Sequence, residues 1–272
     1  GSTQGDHHPQ KTRRLSLMDQ GADPVERSSV KPEIIWGPFI TCILSVIILV
    51  TYSCVAALVS IYHIAVKYGV TLTEVLEDKA LLLLIDGGDA ITLSLWSGAP
   101  IGVLLTILAV WIKKGSKINT YLGLNLSDPK IIFKWLGFMV LLIILLDAMT
   151  ISTGRPLVPP ILGEMMNTST SKLLLFSAMI FAAPVFEEFL FRGFLFKSLR
   201  LTWLKTNGTI VVTSILWAII HFQYDAFSVF LVFVLGLMLG AARAKSGSVP
   251  LCIVMHMVAN TIASTETFYI YG

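Results

Sequence analysis

From Ile34 to Val66 the chain carries no Asp, Glu, Lys or Arg. About 20 apolar residues suffice to cross a bilayer as a helix, so this run crosses with tilt or overhang. Others follow at Ala90–Ile112 and Ile131–Ile151, then from near Leu173 onward, then at Thr209–Phe222, Phe227–Ala242 and Val249–Ala263. The last three are short. Ala80–Ile85 is too short to span and reads as re-entrant or interfacial. The expected fold is an all-α polytopic membrane helix bundle with about seven spans, eight being the upper reading. Composition agrees: 55% of residues are hydrophobic and 14% charged, against about 25% charged in soluble domains.

The net charge of +3 is too small for a nucleic-acid surface, and its distribution says more than its sum. Residues 1–33 are polar, with Lys11, Arg13, Arg14, Arg27 and Lys31, and are expected to be a disordered cytoplasmic leader. The Gly-Ser start reads as an expression scar. No cleavable signal is expected, because the first apolar run far exceeds a signal core of about 7–15 residues. Residues 34–112 form an N-terminal membrane part and 113–272 a second one that holds the chemistry. The cysteines, Cys42, Cys54 and Cys252, lie within apolar runs and read as packing residues, not a disulfide framework.

Basic clusters precede the first run and follow the second (Lys113, Lys114, Lys117), the fourth (Lys197, Arg200, Lys205) and the sixth (Arg243, Lys245). The other loops carry Glu74, Glu77, Asp78, Asp86 and Asp89, then Glu164, then Asp225. Because Lys and Arg mark cytoplasmic loops, the N-terminus is expected in the cytoplasm of a plasma (inner) membrane.

The fourth run contains EEFLFRGFL, residues 187–195. A charge at the centre of a membrane helix costs roughly 2.5–3.5 kcal/mol, so such groups face a protein interior or a cavity. Glu188 and Arg192 are four apart and share a helix face on which they can pair. Glu187 lies about 100° round the helix and is free to point at water or a substrate. Pro184, three residues earlier, is placed to bend the helix. The bland reading is that all three charges glue helices together. Asp147, near the end of the third run, reads as a snorkelling group or a structural hydrogen-bond partner.

Two more pairs stand four residues apart: Trp217 with His221, and His256 with Asn260. A lone membrane histidine is more often a hydrogen-bond partner than a catalyst. Here, two imidazoles, a carboxamide and an unpaired carboxylate occur on three segments. These groups activate water, hold metal or stabilise an oxyanion.

In this order the motifs resemble a known family. EEFLFR resembles the EExxxR motif of the CPBP intramembrane proteases, which include the type II CAAX prenyl endopeptidases and bacterial bacteriocin-processing or Abi-type immunity proteins. WAIIH (Trp217–His221) resembles the second motif, FxxxH, with tryptophan in place of the usual phenylalanine. HMVAN resembles the third, HxxxN. The glycine-rich stretch 236–250 has the family's character, and the likeness runs roughly from Leu122 to Ser264. It implies a membrane-embedded endopeptidase in which Glu187, assisted by His221, activates water. His256 and Asn260 would stabilise the oxyanion or add polar ligands, and Glu188 and Arg192 would shape the site. Between a glutamate mechanism and a metal one the reading leans slightly to metal, with Glu187, His221 and His256 as ligands of a divalent ion such as Zn²⁺. The implied partners are the bilayer and a membrane-associated protein or peptide substrate, with no nucleic acid. A non-catalytic membrane adaptor is the alternative. A small transporter ranks last, since no internal repeat is visible.

Overall fold

The computed structural model describes Gly1 and residues 34–272, apart from residues 83, 85 and 86 and the side chain of Leu82. The leader and Asp86 therefore lie outside the described residues. Of the short apolar stretch at Ala80–Ile85, only a brief helix, Lys79–Leu82, is described. Seven long helices carry the fold: α1 Pro38–Tyr68, α2 Gly88–Ile112, α3 Pro129–Ser152, α4 Lys172–Leu199, α5 Lys205–Ile219, α6 Ala226–Ser246 and α7 Val249–Tyr271. Short helices Leu72–Glu77, Ile118–Leu122 and Pro160–Thr168 lie in the connections. The described residues contain no strand.

Each of the seven expected runs thus became a helix, and the chain is an all-α polytopic membrane bundle. Among the described residues five helices, α1 to α4 and α6, are long and apolar enough to cross a membrane. α5 has 15 residues, about 22 Å at 1.5 Å per residue, short of the roughly 30 Å hydrocarbon core. α7 has the length, at 23 residues, but spends it on His256, Asn260, Glu266 and several threonines.

Local chemistry sets the helix ends. Proline in the first turn starts α1, α3 and α7, where its missing N–H costs nothing. Side-chain oxygens cap the next backbone donors: Asp128 accepts from the Lys130 N–H at 2.8 Å, Asp225 from Ser228 at 2.8 Å and Ser248 from Leu251 at 3.2 Å. Gly69 (φ 66°) and Gly247 (φ 69°) close α1 and α6 in the left-handed conformation that glycine adopts without strain.

The surface is apolar and much of the helix interface is small or polar, the arrangement lipid favours. Val46, Ile47, Val50 and Leu58 of α1 and Leu141, Ile144 and Leu145 of α3 all face outward. Between α1 and α2, which pack closely, Ser60 and Ser94 join hydroxyls at 2.7 Å. α6 lies equally close to α5. A Cβ on Gly236 would come 3.0 Å from both Ser214 and Trp217, and one on Gly240 3.0 Å from Ile210. Gly236 and Gly240 are there to bring these two helices together.

α4 runs through the middle of the bundle, burying Phe186, Leu190, Phe191, Phe194 and Leu195 in the main core. It is not a regular α-helix. Ala178–Ala182 and Phe189–Leu195 are π-helical turns on either side of the segment that holds Glu187 and Glu188. In the first turn the Ala183 N–H reaches five residues back to the Ala178 carbonyl. The next donor in that register would be residue 184, which is proline and has none. The Met179 carbonyl is thereby left over, and Asn260 of α7 satisfies it, donating from Nδ2 at 2.7 Å.

Candidate active site

Helices α1 to α4, α6 and α7, with the C-terminal end of α5, enclose a cavity of about 1110 Å³. Its walls are mostly apolar, and Glu187, Trp217, His221, His256 and Asn260 all line it. At the rim, between the loops that join α3 to α4 and α5 to α6, Arg155 meets Asp225 at 3.6 Å.

The adjacent glutamates have opposite environments. Glu188 is fully buried and outside the cavity lining. Its Oε1 accepts from Arg192 Nη1 at 2.9 Å and from His256 Nδ1 at 3.0 Å. Arg192 is equally buried, and its Nη2 donates to the Gly236 carbonyl at 3.3 Å. The pairing of Glu188 with Arg192 four residues on is thus present as expected. Glu188 Oε2 and Arg192 Nε have no partner among the described residues. Removing either member would strand a charge in a low-dielectric site.

Glu187 is half-buried and faces the cavity. Its Oε2 accepts from the indole Nε1–H of Trp217 at 2.5 Å. Phenylalanine, usual at this position of the motif, has no such donor, so Trp217 adds a polar contact to the bulk of the ring it replaces. The Trp217 ring meets His221 and His256 edge-on, with centroids 5.2 and 5.1 Å away. The guanidinium of Arg192 lies 4.6 Å over its face.

His221 does not share a helix face with Trp217 in the expected sense, because α5 ends at Ile219 and His221 sits in the turn beyond. Its Nδ1 is 2.9 Å from the Trp217 carbonyl. A carbonyl only accepts, so Nδ1 carries a hydrogen, and in the neutral ring Nε2 then keeps the lone pair. His256 and Asn260 do share a face of α7 and look into the cavity. The Nδ1–H of His256 goes to Glu188, leaving Nε2 on the opposite side of the ring. Asn260 spends one Nδ2 hydrogen on Met179 and keeps the other.

The expected metal set is not assembled. Among the described residues no three His, Cys, Asp or Glu side chains are placed to hold one ion. Glu187, His221 and His256 line one cavity, and each keeps a donor atom beyond its present hydrogen bond: Oε1 of Glu187 and Nε2 of each histidine.

Cys252 is buried packing, as expected, its Sγ near the Ser248 and Leu239 carbonyls at 3.4 and 3.5 Å. Asp147 lines the cavity from α3, as does Glu266 from α7. Glu266 was missed because it lies beyond Ala263, where the apolar run ends.

These features define an all-α integral membrane protein whose ionisable groups converge on one intramembrane cavity. Residues 168–262 match the model of the type II CAAX prenyl endopeptidase Rce1-like family. That segment is similar to the family, in keeping with the CPBP protease resemblance of the motifs. The match holds Glu187, Glu188, Arg192, Trp217, His221, His256 and Asn260, and it leaves α1 to α3 outside. Comparison with curated proteins and with solved structures produced no match.

Proposed function

We propose that the protein is a membrane-embedded endopeptidase that cuts a membrane-associated protein or peptide, with Glu187 as the base. The observation that carries this is the division of labour between the adjacent carboxylates. Glu188 is sealed against Arg192 and His256. Glu187 is held by one neutral donor and turned toward a cavity large enough for a peptide.

In this reading water sits between Glu187 and the scissile carbonyl. His221 aligns it by accepting one of its hydrogens at Nε2. Glu187 takes the other proton as the water oxygen bonds to the carbonyl carbon, and the π pair moves to the carbonyl oxygen. Asn260 offers its second Nδ2 hydrogen to that oxyanion, and His256, whose Nδ1–H is given to Glu188, adds a donor whenever its Nε2 also carries hydrogen. Collapse breaks the C–N bond, and the proton held by Glu187 passes to the leaving nitrogen. A new carboxyl terminus and a new amine result, and Glu187 is again ionised. Removing one oxyanion donor typically costs about 10²–10³ in rate.

Mass spectrometry of membranes holding the wild-type chain or Glu187→Gln tests the reading. New carboxyl termini are expected with the wild type only. Identical peptides in both would refute it and favour the adaptor, which should also keep working in a complementation assay with Glu187→Gln.

A further inference from the structure

We infer that Trp217 is a positioning residue of this site, whose indole N–H fixes Glu187 for proton transfer and whose ring keeps Arg192 away from it. The inference rests on the reading of Glu187 as the base.

Three contacts meet on this one residue. The indole Nε1–H donates to Glu187 Oε2. Indole is a donor only, so it orients the carboxylate without competing for the proton that Glu187 must accept. With Oε2 occupied, Oε1 is the oxygen presented to water. The ring face carries the Arg192 guanidinium at 4.6 Å. A guanidinium so close would otherwise be a natural partner for the second glutamate. An ion pair there would tie up both oxygens of Glu187 through the fork of N–H groups that arginine presents. The aromatic face holds that cation by its quadrupole instead, while Glu188 and the Gly236 carbonyl hold its nitrogens. The backbone carbonyl of Trp217 meanwhile takes Nδ1–H of His221, so one residue sets both the carboxylate rotamer and the imidazole tautomer.

The surroundings are built to this ring. Gly236 leaves space for it, since a Cβ there would approach Trp217 Cε3 at 3.0 Å. Trp217 is itself only 3% exposed. Phenylalanine, usual at this position in the family the motifs resemble, fills much of the same space but offers no N–H.

Two variants isolate the donor. Trp217→Phe removes it with some loss of volume. Replacing Trp217 by 3-benzothienylalanine through an expanded genetic code removes the N–H and keeps the shape. A substrate peptide found by the mass spectrometry above is the probe for rate. Both variants are expected to lower kcat about 10- to 100-fold, the scale of a small misplacement of a catalytic group. KM should stay within about twofold, because no binding contact is lost. A readout free of substrate accompanies it: the indole ¹⁵N–¹H signal of the full chain in detergent, assigned by its loss in Trp217→Phe. It should move upfield in Glu187→Gln, which replaces a charged acceptor by a neutral one. Full kcat in the benzothienyl variant overturns the inference, as does an indole signal indifferent to Glu187→Gln. A Glu187→Gln enzyme that still cleaves overturns the reading of the base instead, so the two failures are distinguishable.

Discussion

Asn260 and Pro184 lie on different helices, and the structure predicts that their substitutions will not add. Pro184 withholds the N–H that the π register of α4 would deliver to Met179, and Asn260 Nδ2 supplies the missing donor at 2.7 Å. Asn260→Ala leaves that carbonyl without a partner inside the bundle. A stranded buried acceptor costs about 1–3 kcal/mol, but hydrogen bonds between membrane helices average only about 0.6 kcal/mol, with a maximum near 1.7. The expected loss is therefore about 1–1.5 kcal/mol, or a few degrees in the unfolding midpoint of a chain this size. In a Pro184→Ala background residue 184 recovers its N–H and can reach Met179 within the helix. There Asn260→Ala should cost less than about 0.5 kcal/mol, giving a coupling of about 1 kcal/mol. The assay is thermal unfolding in detergent of the four members of the cycle. Equal losses in both backgrounds would refute the account of the π turn. Cleavage adds an independent readout, because Asn260→Ala should slow it in either background if its second hydrogen serves the oxyanion.

Arg192→Ala should lower stability by about 3–5 kcal/mol, because it leaves Glu188 buried without its cation; Glu187→Gln, at a group facing the cavity, should leave the unfolding midpoint within about a degree while abolishing cleavage. If Glu187 activates water unaided, exhaustive chelation in detergent should leave activity intact; loss on chelation with rescue by Zn²⁺, Mn²⁺ or Co²⁺ would refute that mechanism and assign the water to a metal. Lys114→Cys in a cysteine-free background should label only from the cytoplasmic side, and labelling from outside intact cells would sink the basic-loop topology.

Lipid makes one class of signal unambiguous, and that is what the sequence made legible. A run of twenty apolar residues has few alternatives to a helix in a bilayer. Pro38, Pro129, Asp225 and Ser248 then mark where the helices begin to within a few residues. The Glu188–Arg192 pair was legible too, because a spacing of four survives into the structure even through a π turn. The π turns themselves were not. Shifting a hydrogen bond from four residues back to five changes no composition and no periodicity over so short a stretch. Pro184 was the only trace, and it reads equally well as a simple bend. Nor could the spacing assign His256 to Glu188 rather than Glu187, since one residue rotates the choice by about 100° and only the packing of α7 on α4 decides it. Residue types name possible metal donors, but whether Glu187, His221 and His256 close on one ion is a matter of geometry that spacing along the chain does not carry.

The adjacent glutamates show why environment, and not residue type, assigns a role. Both sit in one helix turn, one residue apart. Glu188 meets a cation and an imidazole, so its charge is spent on holding Arg192 and His256 in place. Glu187 meets a single neutral N–H, which fixes its direction without cancelling its charge. In a cavity walled by leucine, isoleucine and phenylalanine, water competes weakly for that charge, and the Coulomb energy of a nearby cation would be several times its value in water. A cation free to reach Glu187 would therefore end its availability to water. The three-residue arrangement of Glu188, Arg192 and Trp217 keeps the nearest guanidinium engaged elsewhere. In the proposed mechanism the second glutamate of the motif is as necessary as the first, although it does not line the cavity.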